Sequence, residues 1–233
     1  MNNNLILYAF LGGILPTIFW LLFWLKEDKL HPEPKKYIAY SFIFGIFSAI
    51  LVLPAEEFLS QLVPGSGLLA IGVLASAEEI FKYFGAYFSA LTKKYMDEPI
   101  DAVIYLITVA LGFAALENSL FLISAIKTGG ADLTRVLLVG NMRFIGATLL
   151  HTLCSGVIGL FIALSFYKRK VLKKRFLLFG LILSITLHTF FNFFIIKSGS
   201  GIFVVFLAIW VAIIIMILLL EKVKHMKRRI IQN

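Results

Sequence analysis

Four stretches of this sequence set ionisable or amide side chains into long apolar runs. They are Ser76-Ala77-Glu78-Glu79-Ile80-Phe81-Lys82, Phe113-Ala114-Ala115-Leu116-Glu117-Asn118, His151-Thr152-Leu153-Cys154-Ser155 and His188-Thr189-Phe190-Phe191-Asn192. Glu78 and Lys82, Phe113 and Glu117, His151 and Ser155, and His188 and Asn192 each stand four apart, so on a helix each pair shares a face. Carboxylates, imidazoles and a carboxamide in a partly dry site suit hydrolysis without a covalent intermediate. A Glu can act as general base on water, and an imidazole can orient that water or carry the proton to a leaving amine. His and Asn donors can stabilise a developing oxyanion, where low dielectric strengthens each hydrogen bond. No Ser or Cys lies in a recognisable nucleophile motif, and neither a Gly-rich phosphate loop nor a His-Glu-x-x-His motif occurs. The reading therefore carries no cofactor and assigns no metal ligand. Two His plus a Glu remain an acceptable zinc set, so zinc stays open.

The elements that must hold these residues are membrane spans. The chain is 60% hydrophobic and 15% charged, with mean hydropathy +0.94, well outside the balance of a water-exposed domain. Crossing about 30 Å of hydrocarbon takes about 20 apolar residues per helix. Segments of that length run Leu5–Leu25, Tyr37–Phe58, Leu68–Leu91, Ile100–Ile123, Phe144–Tyr167, Phe176–Ile196 and Ile202–Leu220. Their continuous Leu, Ile and Phe content lacks the alternation of a membrane β-barrel. The expected fold is an all-α, polytopic membrane bundle of about seven helices. Residues 1–233 read as a single integral membrane domain with a candidate catalytic core at 68–196, and Met1–Trp24, which lacks a basic start and a cleavage site, as a retained first helix.

Net charge is +9, and its distribution decides what it means. Lys26, Lys29, Lys35 and Lys36 follow the first span, Lys93 and Lys94 the third, and Lys168 to Arg175 the fifth; Lys222, Lys224, Lys227, Arg228 and Arg229 close the chain. The alternate loops hold only Lys127, Arg135, Arg143 and Lys197. This asymmetry predicts the N-terminus outside and the C-terminus in the cytoplasm. It explains the basic composition through the lipid bilayer, with no nucleic acid. Counted from the outer ends of the spans, Glu78, Glu117, His151 and His188 fall roughly 9–15 Å below the outer surface, so one pocket in the outer half could hold them all.

An ionisable group at that depth costs at least about 2.5 kcal/mol, which function or a buried partner must offset. The bland alternatives are an internal Glu78–Lys82 ion pair and interhelical hydrogen bonds from His188 and Asn192. Glu56 and Glu57, beside Pro54 at an outer helix end, read as solvated, as do His31 and His225; Cys154 reads as a packing residue. Two other functional classes compete with hydrolysis: a proton- or ion-coupled transporter using intramembrane Glu and His, and a non-catalytic scaffold. The repeated halves and matching broken helices of transporters are not visible.

The ordered set of Glu78-Glu79-x-x-Lys82, Phe113-x-x-x-Glu117-Asn118, His151 and His188-x-x-x-Asn192, with the Asp28 to Glu33-Pro34 segment after the first span, resembles the PrsW family of membrane proteases. That family is related to the CAAX prenyl endopeptidases and bacteriocin-processing proteins. Relatives there more often carry Glu-Glu-x-x-x-Arg and Phe-x-x-x-His, so Lys82 and Glu117 favour the PrsW branch over prenylated substrates. The resemblance implies a glutamate-dependent endopeptidase that cuts a membrane-anchored protein, such as an anti-sigma factor, near its extracytoplasmic side. It also implies roles: Glu78 activates water with support from Glu79 and Lys82, His188 and Asn192 form the oxyanion site, and His151, Glu117 and Asn118 complete the pocket. Which of Glu78 and Glu79 faces the pocket stays open, with the four-residue match to Lys82 favouring Glu78.

Overall fold

A computed structural model describes residues 3–29, 31–129, 146–197 and 202–226. Arg135, Arg143, Lys227, Arg228 and Arg229 and the start of the expected Phe144–Tyr167 span lie outside these. The regular elements among the described residues are helices, with no strand: α1 Asn3–Leu25, α2 Lys35–Leu62, α3 Leu68–Ala86, α4 Asp101–Gly129, α5 Thr148–Leu164, α6 Lys170–Lys197 and α7 Ile202–Lys224. A 3-10 turn, Lys26–Asp28, extends α1, and a π-helical turn, Tyr87–Leu91, extends α3.

Five of these helices, α1, α2, α4, α6 and α7, are long and apolar enough to cross a membrane. This is a multi-pass membrane protein. The other two are informative exceptions. Helix α5 is short at 17 residues. Helix α3 has 19 residues, among them Glu78, Glu79 and Lys82, so no span-length window avoids those charges. The expected spans and the observed helices otherwise coincide closely, because uninterrupted Leu, Ile and Phe runs satisfy their backbone internally in the only way a lipid environment allows.

Helix α4 is the core of the bundle: 72% of its apolar window is buried, against 22–33% for the four other long spans. Helix α1 packs on one side of it. Helices α2, α3, α6 and α5 form an arc whose two ends both rest on α4, and α7 packs outside α5. Large apolar residues on the outer faces, such as Leu15 and Phe19 of α1 or Leu207 and Leu218 of α7, stay exposed and face lipid. The contact of α2 with α4 is backbone to backbone. A Cβ on Gly45 would meet the Val109 carbonyl, and one on Gly112 the Phe42 carbonyl. Small residues permit that approach, which in lipid, where apolar burial drives little, is what holds helices together.

The two ends of the bundle differ. At one end Glu27, His31, Glu98, Tyr167 and Lys224 converge around a cavity of about 360 Å³, which brings together the loops that follow α1, α5 and α7 and precede α4. Lys224 bonds Glu27 at 2.6 Å, His31 lies 2.8 Å from Glu98, and the Tyr105 hydroxyl donates to Glu33. Burial pushes the Glu33 carboxyl up from its ordinary range, while the Tyr105 hydroxyl pulls it back. Lys26, Lys29, Lys35, Lys36, Lys93, Lys94 and the run from Lys168 to Arg175 belong to the same end, as the charge pattern predicts. At the opposite end, the turn from Val63 to Gly67 joins α2 to α3; Gly65 takes a φ of 108° there, a conformation side chains strain to adopt.

Candidate active site

Helix α3 carries its charges toward the interior. Glu79 and Lys82 are fully buried and Glu78 is 8% exposed. Lys82 Nζ donates to Glu79 Oε1 at 2.5 Å and to His151 Nδ1 at 3.0 Å, and lies 4.0 Å from Glu78 Oε2 and 5.0 Å from the centre of the Phe113 ring. The four-residue spacing predicts Lys82 against Glu78, yet the closer partner is Glu79, three residues away. Both carboxylates turn inward, because the buried arc of a helix is wider than the 100° between neighbours.

Glu79 is the hub. Its Oε1 accepts from His188 Nδ1 at 2.7 Å and its Oε2 from the Ser184 hydroxyl at 3.1 Å. Ser184 carries no signal in the sequence beyond standing one helical turn before His188 on α6. His151 bonds Glu117 Oε2 through Nε2 at 2.7 Å. With Lys82 donating to Nδ1, the imidazole is then the Nε2–H form. Each histidine is thus held by a carboxylate on a different helix, His151 by α4 and His188 by α3. The two rings pack edge to face, their centres 5.3 Å apart.

Glu78 is left facing both rings: its Oε2 lies 3.8 Å from His151 Nδ1 and 3.8 Å from His188 Nε2, buried and without a hydrogen-bond partner. It opens onto a cleft of about 720 Å³ at the end of the bundle opposite the basic one. Glu78, Glu117, His151, His188 and Asn192 line it, with Leu53, Ile71, Leu74, Leu120 and Ile195 among the apolar walls. Among the expected site residues, Glu78, Glu117, His151, His188 and Asn192 share this cleft, while Glu79 and Lys82 sit directly behind it. Asn118 is buried and donates to the Thr148 hydroxyl at 2.9 Å, a link between α4 and α5.

Glu56 corrects the sequence reading. Expected to be solvated at a helix end, it is half-buried and lines the same cleft. Helix α2 continues through Pro54 to Leu62, which carries Glu56 along the cleft wall. Glu57 is exposed, as expected.

A metal ion is one group these residues could hold. Glu78, His151 and His188 present one ligand atom each within 4.8 Å of one another, and a second set of Glu79, Cys154 and His188 does the same deeper in the bundle. In the first set the orphaned Glu78 Oε2 and two histidines, each anchored by a carboxylate through its other nitrogen, match the ligand types and supporting bonds of a zinc centre. The donor set therefore fits. The adjacent Lys82 ammonium, which already donates to His151 Nδ1, opposes it.

Comparison with known proteins gives a consistent result. Residues 33–219 match the family described as PrsW family intramembrane metalloprotease. The chain is 32% identical over 119 residues to a protein named Protease PrsW from Geobacillus kaustophilus (strain HTA426), covering 48% of this chain and 51% of that one. It is 32% identical over 114 residues to the Protease PrsW of Bacillus subtilis (strain 168), covering 48% and 52%. A longer match, 25% identical over 191 residues, covers 79% of this chain and 77% of the Protease PrsW of Clostridioides difficile (strain 630). The first two matches span about half the length of those relatives. No solved structure gives a significant match.

Proposed function

The chain belongs to the PrsW protease family, and from that premise we propose that it is a membrane-embedded endopeptidase in which Glu78 activates water against a peptide bond. The observation that carries this reading is the pairing of Glu78 Oε2, buried and unbonded, with two histidines 3.8 Å away at the floor of a cleft. A carboxylate so placed takes a proton from water as the oxygen bonds to the peptide carbonyl carbon. The oxyanion that forms is met by the Asn192 amide and by His188 in its protonated form, which donates through Nε2 while its Nδ1–H stays on Glu79 and fixes its orientation. Glu78 then returns the proton to the amine nitrogen as the carbon–nitrogen bond breaks, leaving an amine and a carboxylic acid that gives up its own proton to water. Lys82 holds His151 and Glu79 in register without entering the cleft.

The substrate class follows from position. A cleft walled by leucine and isoleucine within a membrane bundle suits a membrane-anchored protein, cut near the end of the bundle away from the basic loops. With those loops in the cytoplasm, that end is extracytoplasmic, and the resemblance to the PrsW family makes an anti-sigma factor the substrate type we favour. Incubating the purified protein in liposomes with single-span substrates tests this. Glu78→Gln is expected to abolish cleavage and His188→Ala to reduce it at least about a hundredfold, with helical content and melting intact. Cleavage that survives Glu78→Gln would remove the proposed site.

A second reading is favoured by the convergence of Glu78, His151 and His188, which would hold a zinc ion through one oxygen and two nitrogens. Bound there, zinc would polarise the carbonyl and lower the pKa of water. Under the glutamate reading, activity persists after treatment with a strong chelator and the purified protein carries no stoichiometric metal. Loss of activity on chelation, with recovery on adding zinc, would establish the second reading instead.

A further inference from the structure

Three carboxylates line the cleft, and two of them have an evident role. Glu117 anchors His151, and Glu78 faces both imidazoles. Glu56 has none. It makes no hydrogen bond or ion pair among the described residues and reaches neither histidine, although it is half-buried among Leu53, Leu74 and other apolar side chains of the wall. Among the described residues, the charges within its electrostatic reach include Glu78, Glu117, His188 and Lys82. Of these Lys82 is the one permanent cation, and it lies behind the cleft, bonded to Glu79 at 2.5 Å. Among the described residues no Lys or Arg lines the cleft.

A partly desolvated carboxylate with no partner is costly to keep, and that cost is recovered when a cation arrives. We propose that Glu56 is the specificity-determining residue of this cleft and selects peptide substrates with a Lys or Arg close to the cleaved bond. Selection works in both directions. A basic side chain gains an ion pair in a low-dielectric wall, while an acidic one at the same place meets Glu56 beside Glu78 and is rejected. The apolar walls accept the rest of a membrane-spanning peptide without regard to sequence, so the charge supplies the discrimination.

This rests on the peptidase reading for its consequence, and binding separates the two. Fluorescent single-span peptides would share one apolar segment and carry Lys, Gln or Glu at one position, scanned along the end that enters the cleft. Their affinities would be measured for the Glu78→Gln protein in zwitterionic nanodiscs, which removes attraction to anionic lipid. At one position the Lys peptide is expected to bind about tenfold more tightly than the Glu peptide. Adding Glu56→Gln should flatten that ratio, and adding Glu56→Lys should invert it. A series that fails to bind, or a ratio that both Glu56 substitutions leave unchanged, would overturn the proposal. Charge-selective binding, combined with no cleavage of the same peptides by the protein with Glu78 intact, would sink the peptidase reading and leave the role of Glu56 standing.

Discussion

Glu79 and Lys82 form a fully buried ion pair whose remaining hydrogen-bonding capacity is taken up by His188, Ser184 and His151. Removing Glu79 leaves the buried Lys82 with Glu78, 4.0 Å away, as its remaining carboxylate; breaking a buried pair costs about 3–5 kcal/mol, whereas replacing both by apolar residues costs far less. Glu79→Leu is therefore expected to lower the melting temperature in detergent sharply, and Glu79→Leu with Lys82→Met to recover most of the loss while leaving the protein inactive. Equal melting of the single and double variants would show that the pair is not coupled. The participants are legible in the sequence, since an ionisable group inside an apolar run announces itself. Their pairing is not. Spacing on one helix favours Glu78 as the partner of Lys82, whereas Glu79 takes that place, and Ser184, which adds a further bond to Glu79, is an ordinary residue until α6 packs against α3. Glu56 escapes the sequence for a related reason: a proline nearby reads as a helix end, and only the path of α2 past Pro54 returns that side chain to the cleft.

At the level of elements, α4 acts as the post on which the others are mounted, and the crossing at Gly45 and Gly112 sets where α2 lies and so where Glu56 sits. A valine at Gly45 must displace the α4 backbone at Val109, an overpacking expected to cost about 1–3 kcal/mol. The variant should show a lower midpoint of unfolding and a weakened response of peptide binding to substitution at Glu56. A Gly45→Val protein with wild-type stability would mean that the crossing is looser than described. Helix positions can be read in advance because apolar run length governs them. The order of helices around the cleft cannot, because it depends on which small residues meet, and glycine and serine recur along the chain.

For the whole molecule, the convergence of the loops after α1, α5 and α7 at one end, with the cleft at the other, turns a charge pattern into a testable orientation. Cysteines placed at Lys170 and Ser66, both exposed and at opposite ends, should label from the cytoplasm and from the outside respectively. Cys154 is fully buried, so the natural thiol adds no background. Labelling of both from one side would refute the arrangement. The charge of α3 has a further consequence, for biogenesis. Three buried charges near its centre oppose bilayer entry by about 8 kcal/mol, while Leu68, Leu69, Ile71, Val73, Leu74, Ile80, Phe81 and Phe84 return only about 4 kcal/mol. Helix α3 is thus a poor substrate for the insertion machinery when it arrives alone. It must enter behind α2 as a hairpin, across the tight Val63–Gly67 turn, or wait at the membrane surface until α5 and α6 bring the histidines that hydrogen-bond Lys82 and Glu79. By the second route catalytic competence and completed insertion become the same event, and a chain stalled before α6 would hold its glutamates outside the bilayer.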